Sequence, residues 1–200
     1  MFYTPEDGHA LPHDPLNALV APRPIAWIST LSPDGVANLA PYSYFNLLAP
    51  NPPQVMFSSH DPKTNGQEKD TITNVRNTGV FCVNLVEYSQ RFNMQVTAQD
   101  LPAETDEAAL AGLTTVPCET IPCPRLPDAP AALECRLTQL VPLKGQQNTM
   151  AVGEVLGIHL REDLLTAGRF DHKKFSALAR LGYKDFTRVR DVFTLPPSKD

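Results

Sequence analysis

Two groups of side chains in this 200-residue chain could do chemistry by their types and spacing. The first is Asn38-Leu39-Ala40-Pro41-Tyr42-Ser43-Tyr44-Phe45-Asn46, where amides and hydroxyls sit beside aromatic rings next to a proline. Such a set suits a flat heteroaromatic ligand, which needs a stacking surface and hydrogen bonds along its edge. The same residues would also make an ordinary strand end with turn-forming polar side chains. The second group is Ser58-Ser59, closing the stretch QVMFSS, followed by Lys69-Asp70-Thr71. Hydroxyls and an ammonium are phosphate ligands, and a helix beginning near Asp70 would add unpaired N–H groups. This loop could therefore hold a phosphate monoester without a glycine-rich cradle. The plain alternative is a helix capped by Asp70 with an exposed lysine beside it.

The elements that must position these groups are mostly strands. Ile25–Thr30, Gln54–Ser59 and Val80–Val86 are short, rich in β-branched or aromatic residues, and bounded by Pro, Gly, Asn or Asp. Ser32-Pro33-Asp34-Gly35 reads as a type I turn that joins IAWIST to VANLAPY in an antiparallel hairpin. Leu133, Cys135 and Leu137 alternate with Glu134, Arg136 and Thr138, a strand with one wet face. Residues 151–160 form another strand, with Val152, Glu154, Leu156, Ile158 and Leu160 on one side and a second largely apolar side opposite. Glu154 then needs a partner or a strand end, and His159 reads as a structural histidine. Helices are few and peripheral: a short one near Asp70 with Ile72 and Val75 on one face, then 87–99 and 105–111. Five prolines between 116 and 130 favour an extended crossing segment. The sum is one mainly β domain over residues 1–200, a closed or split β-barrel with peripheral helices.

Composition excludes several roles. A net charge of −5 gives no electrostatic reason for nucleic-acid binding. No apolar run approaches the roughly 18 residues of a membrane span, and the N-terminal stretch lacks the basic and apolar regions of a secretory signal, so a cytoplasmic protein is expected. Cys82, Cys118, Cys123 and Cys135 contain no C-x-x-C pair and read as reduced thiols; His9 and His13 are separated by Pro12, so no metal site is expected. Eight of the 17 Lys and Arg residues fall between 161 and 190, a bias that could steer an anionic nucleotide to one face. No G-x-G-x-x-G or Walker loop follows a strand, which removes Rossmann and P-loop sites from consideration.

The run Arg23-Pro24-Ile25-Ala26-Trp27-Ile28-Ser29-Thr30, then Gly35, residues 38–46, Pro52-Pro53, Lys69-Asp70-Thr71 and Asn84-Leu85-Val86 resembles the flavin reductase-like family in order and spacing. The resemblance continues through Asp106-Glu107, Ala111-Gly112-Leu113, Leu133-Glu134-Cys135, Gly153-Glu154-Val155 and Arg180-Leu181-Gly182-Tyr183, and so covers nearly the whole chain. It implies an FMN-binding split barrel, a homodimer, and NAD(P)H-dependent flavin reduction or an oxygenase system. Transferred to this sequence, it puts Ser29 and Thr30 near the isoalloxazine or ribityl chain. Asn38, Ser43, Tyr44, Phe45 and Asn46 would lie around the ring edge, and Ser58, Ser59, Lys69 and Thr71 on the phosphate. Arg180 and Tyr183 resemble a family element that approaches the flavin, with a surface role as the alternative.

In this reading the site is made of binders: hydride moves from nicotinamide to flavin, and the protein stacks and orients the two rings. No residue is assigned as catalytic. Two other readings stay open, an FMN-binding carrier or sensor without rapid NAD(P)H turnover, and a flavin-dependent oxygenase acting on a small molecule.

Overall fold

The structure is a computed structural model that describes residues 1–196. Seven strands dominate it: β1 (Ala26–Leu31), β2 (Ala37–Tyr42), β3 (Phe45–Pro50), β4 (Pro53–Ser59), β5 (Val80–Leu85), β6 (Ala131–Pro142) and β7 (Thr149–Leu160). They form one antiparallel sheet in the order β2-β1-β5-β6-β7-β4-β3. Its two edge strands, β2 and β3, are consecutive in sequence and joined only by Ser43-Tyr44. That link spans at most about 11 Å, so the sheet must roll until its edges meet. β2 and β3 are not hydrogen-bonded to each other, and the seam between them is the split. The mainly β, split-barrel architecture expected from the sequence is the one observed.

Alternation on each strand decides what lies inside. Ala26 and Ile28 of β1 meet Val55, Phe57, Phe81, Val83, Cys135, Ala151 and Val155 in the barrel core, while Trp27 faces outward into a second core. Gly153 is required there, because a Cβ at this position would lie 2.5 Å from Cζ of Phe81. The helix α1 (Asp70–Thr78) packs Ile72 and Val75 against the barrel core. It ends where Gly79, at φ +72°, donates its N–H to the Val75 carbonyl at 2.9 Å. Helices α2 (Arg91–Val96) and α3 (Glu107–Leu110) contribute Met94 and Ala108 to the outer core over Trp27. The expected turn is present: Gly35, at φ +85°, donates to the Ser32 carbonyl at 3.0 Å, and Leu31 pairs with Ala37.

Two local expectations are corrected, at Glu134 and at Asp70. The wet face expected on β6 is found at Arg136 and Thr138, which are exposed, but not at Glu134, which is completely buried under the proline-rich segment. It accepts the N–H groups of Glu119 and Thr120 at 2.7 and 2.6 Å, contacts the Thr120 hydroxyl, and meets His159 at 2.5 Å. Burial alone would raise its pKa, but these donors outweigh it and hold the carboxyl at about 2. On β7, the aliphatic side carrying Leu156, Ile158 and Leu160 faces outward, with Ile158 60% exposed, while Ala151, Gly153 and Val155 face the core. Glu154 pairs with the exposed Arg136 across the strand at 2.8 Å. Finally, Asp70 does not cap α1; the N-cap position is Lys69, and Asp70 bonds to Lys63 instead.

Candidate functional site

The split leaves two adjoining cavities, which share Pro41, Ser43, Tyr44, His60 and Ala98. The first, about 370 Å³, lies over the start of α1. Its polar wall includes Asn38, Ser58, Ser59, Lys69 and Thr71, so the barrel closure brings together the sequence-predicted phosphate group and the end of β2. Asn38 bridges Thr71 at 2.9 Å and Glu107 at 3.2 Å. Lys69 reaches Asp100 at 2.5 Å, and this pair holds the Asp100 carboxyl below its ordinary range. Buried Lys63 contacts Asp70 and donates to the Leu101 carbonyl at 2.9 Å, which ties the 63–70 loop to the segment before α3. Among the described residues no side chain caps α1; the Ile72 and Thr73 N–H groups bond to the Lys69 carbonyl at 3.0 and 3.2 Å, and those of Asp70 and Thr71 start the helix without an intrahelical partner.

Glu107 is the strained member of this wall. Its Oε2 accepts the Leu39 N–H at 3.0 Å, yet burial, reinforced by Asp70 and Asp106, pushes its pKa up to about 7. Burial likewise pushes the neighbouring Tyr42 phenol up to about 12, against hydrogen bonds from Thr71 and Ser59.

The second cavity, about 660 Å³, is cationic and aromatic. A small three-stranded sheet, Arg23–Pro24 with Leu178–Arg180 and Phe186–Arg188, sets Arg23 in register with Arg180. Burial and the neighbouring Arg23 charge lower the pKa of Arg180. Arg23 donates to the carbonyls of Asn17, Val20 and Leu181, and among the described residues its buried Nε has no partner. Tyr44 stands at the junction: its hydroxyl donates to Asn17 Oδ1 at 2.6 Å, Arg23 lies 5.5 Å from its ring, and His60 packs edge-on against it.

Of the residues expected at the site, Asn38, Ser43, Tyr44, Ser58, Ser59, Lys69, Thr71, Arg180 and Tyr183 line one or both cavities. Four do not. Ser29 faces outward, where its hydroxyl donates to the Pro124 carbonyl at 2.6 Å and accepts from Asn84 at 3.1 Å. Thr30 accepts from Asn74 of α1 at 3.1 Å and is fully buried. Phe45 packs against the barrel core, and Asn46 is exposed with its Oδ1 bound to the Leu47 N–H. In each case the strand alternation or a local bond commits the side chain elsewhere. Sequence reading missed Arg23, His60, Lys63 and Glu107, which reach the cavities through contacts distant in sequence; the Arg23-Pro24 and Asp106-Glu107 dipeptides were the available signals.

The donor set fits a flavin mononucleotide. Three hydroxyls, a lysine and an uncapped helix start suit a phosphate monoester, and an aromatic junction beside Arg23 and Arg180 suits a planar ring with polar edges.

Comparison with known proteins agrees with that chemistry. The model for the flavin reductase like domain matches residues 19–179. An uncharacterized protein of Deinococcus radiodurans is 37% identical over 98% of this chain and 90% of its own length. Among solved structures, nitrilotriacetate monooxygenase component B from Bacillus cereus superposes with a TM-score of 0.89 at 30% identity, covering 98% of each chain. The 2-nitrobenzoate 2-nitroreductase of Pseudomonas fluorescens superposes with a TM-score of 0.79 at 31% identity, covering 92% of each chain.

Proposed function

Because the chain belongs to the flavin reductase-like family, we propose that it binds FMN across the split of its barrel and transfers hydride from NAD(P)H to the flavin. The observation that carries this reading is the meeting of two cavities at Tyr44, one walled by phosphate donors and the other by arginines and aromatic rings. Ser58, Ser59, Lys69 and Thr71 hold the phosphate, and Asn38 fixes the Thr71 hydroxyl from behind. Ser43, Tyr44 and Arg23 border the ring. Arg180 and Tyr183 wall the open side, where the positive charge of Arg23 and Arg180 favours anionic nucleotides and stabilises negative charge on a reduced ring. FMN supplies the hydride acceptor when bound. No side chain is asked to donate or remove a proton; the residues bind, orient and exclude water. The exposed Leu156, Ile158 and Leu160 give one copy an unpaired apolar face, which supports a homodimer.

The component B likeness favours a reductase that feeds a separate oxygenase. The nitroreductase likeness favours a second reading, in which the bound flavin itself reduces a small aromatic substrate. An anaerobic absorption spectrum of FMN-reconstituted protein, before and after NADH and then NADPH, tests both. Perturbation of the flavin band on binding, followed by bleaching within seconds of nucleotide addition, is the expected result. No perturbation would refute the FMN site, and a perturbed but unbleached flavin would refute hydride transfer from either nucleotide. Reoxidation of the bleached flavin by a nitroaromatic compound faster than by free flavin would select the second reading.

A further inference from the structure

A third cavity, of about 520 Å³, continues from the arginine-lined one by way of Met94, Gln95 and Phe186. Its walls combine three guanidinium groups, Arg91, Arg188 and Arg190, with the rings of Tyr88, Phe92 and Phe186, and among the described residues no carboxylate lines it. Arg91 lies 4.1 Å from the ring centroids of both Tyr88 and Phe92, and Arg188 lies 4.3 Å from that of Tyr88. Two cations therefore share one tyrosine. Among the described residues none of the three arginines is within ion-pair distance of an acid, whereas Arg76, Arg136 and Arg161 all are. Like charges gathered this way repel, and a bridging dianion relieves the repulsion while using the forked donors of both side chains. Phe92, which carries Arg91 over its ring, is 69% exposed beside them.

We propose that this cavity takes the 2′-phosphoadenosine end of NADPH: Arg91 and Arg188 clasp the 2′-phosphate, the purine stacks against Phe92, and the pyrophosphate runs past Phe186 toward the flavin cavity. The assignment rests on the hydride-transfer reading above and sharpens it, since the two nicotinamide dinucleotides differ only by that phosphate and arginine is the side chain suited to it. It also gives a use to the basic bias of residues 161–190, whose Arg188 and Arg190 are among the lining residues.

Two measurements on the FMN-loaded protein test it. By calorimetric titration, 2′,5′-ADP binds about tenfold or more tightly than 5′-AMP, as loss or gain of one charge-assisted contact pair requires, and Arg188→Ala erases the difference. In stopped flow, the ratio of kcat/KM for NADPH to that for NADH falls by about tenfold or more in Arg91→Ala and Arg188→Ala, mostly through KM. Circular dichroism and the bound-flavin spectrum verify that each variant is folded. If 2′,5′-ADP and 5′-AMP bind alike, or the selectivity ratio is the same in wild type and variants, the proposal is overturned while hydride transfer stands. If neither dinucleotide bleaches the flavin but 2′,5′-ADP still binds in an Arg188-dependent way, hydride transfer falls and the phosphate pocket stands.

Discussion

Replacing Glu107 by Gln removes a buried acid whose ionisation the fold resists, and its effect can be worked out in advance. The carboxyl is nearly inaccessible and sits by Asp70 and Asp106, which moves its pKa from 4.5 to about 7. At about 1.4 kcal/mol per pH unit, ionising it in the folded state costs about 3 kcal/mol more than in the unfolded chain. The sign follows from proton counting. From about pH 4.5 to 7 the unfolded state holds fewer protons at this site, so stability falls as pH rises and then levels off above about pH 7. Glu134 acts oppositely: its folded pKa of about 2 gives stability that is lost only as pH drops below about 4.5. Glu107→Gln keeps an oxygen for the Leu39 N–H, and the Asn38 amide can turn either end toward the new side chain. Urea unfolding followed by the fluorescence of Trp27, the one tryptophan and fully buried, reads the difference. The variant gains on wild type steadily between about pH 4.5 and 7.5, by about 3 kcal/mol at the upper end. Parallel stability curves for the two proteins across that window would refute the assignment of a neutral Glu107.

Three further outcomes are expected. The double change Lys69→Ala with Thr71→Ala removes a charged and a neutral phosphate donor, together about 2 to 4 kcal/mol, and raises the Kd for FMN about 30-fold or more; an unchanged fluorescence titration would count against the phosphate site. Gly153→Ala drives a methyl into the Phe81 ring and lowers stability by about 1 to 3 kcal/mol, visible as a lower urea midpoint at constant m. The neighbouring Cys123 and Cys82 lower the pKa of the partly exposed Cys118 thiol, so brief iodoacetamide treatment at neutral pH alkylates Cys118 ahead of buried Cys82, Cys123 and Cys135, and peptide mass spectrometry identifies the site.

Much of the barrel was legible because it is written in local periodicities. β-Branched and aromatic content between turn residues located β1, β4 and β5, alternation over 133–138 located β6, Ser32-Pro33-Asp34-Gly35 located the first turn, and Ile72 with Val75 located α1, since propensity, pleat and helical pitch act over a few residues. The Ser58-Ser59 and Lys69-Asp70-Thr71 group was also visible, because the donors of a strand end and a helix start are close in sequence. Which face of a strand is wet was not legible where a distant segment covers it. Glu134 alternates like a solvent-facing residue, yet residues 118–123 fold over it and supply its donors; Leu156 and Ile158 look like core and face outward. Ser29 and Thr30 carry suitable hydroxyls, but Pro124, Asn84 and Asn74 use them. Local patterns along the chain account for the strand set, the turn and a donor-rich helix start. The meeting of β2 and β3 at a split and the pairing of Arg23 with Arg180 arise from long-range packing. So do the burial of Glu107 among other acids and the sharing of Tyr88 by Arg91 and Arg188. These depend on burial and charge contributed by segments far apart in the chain, and no local pattern encodes them.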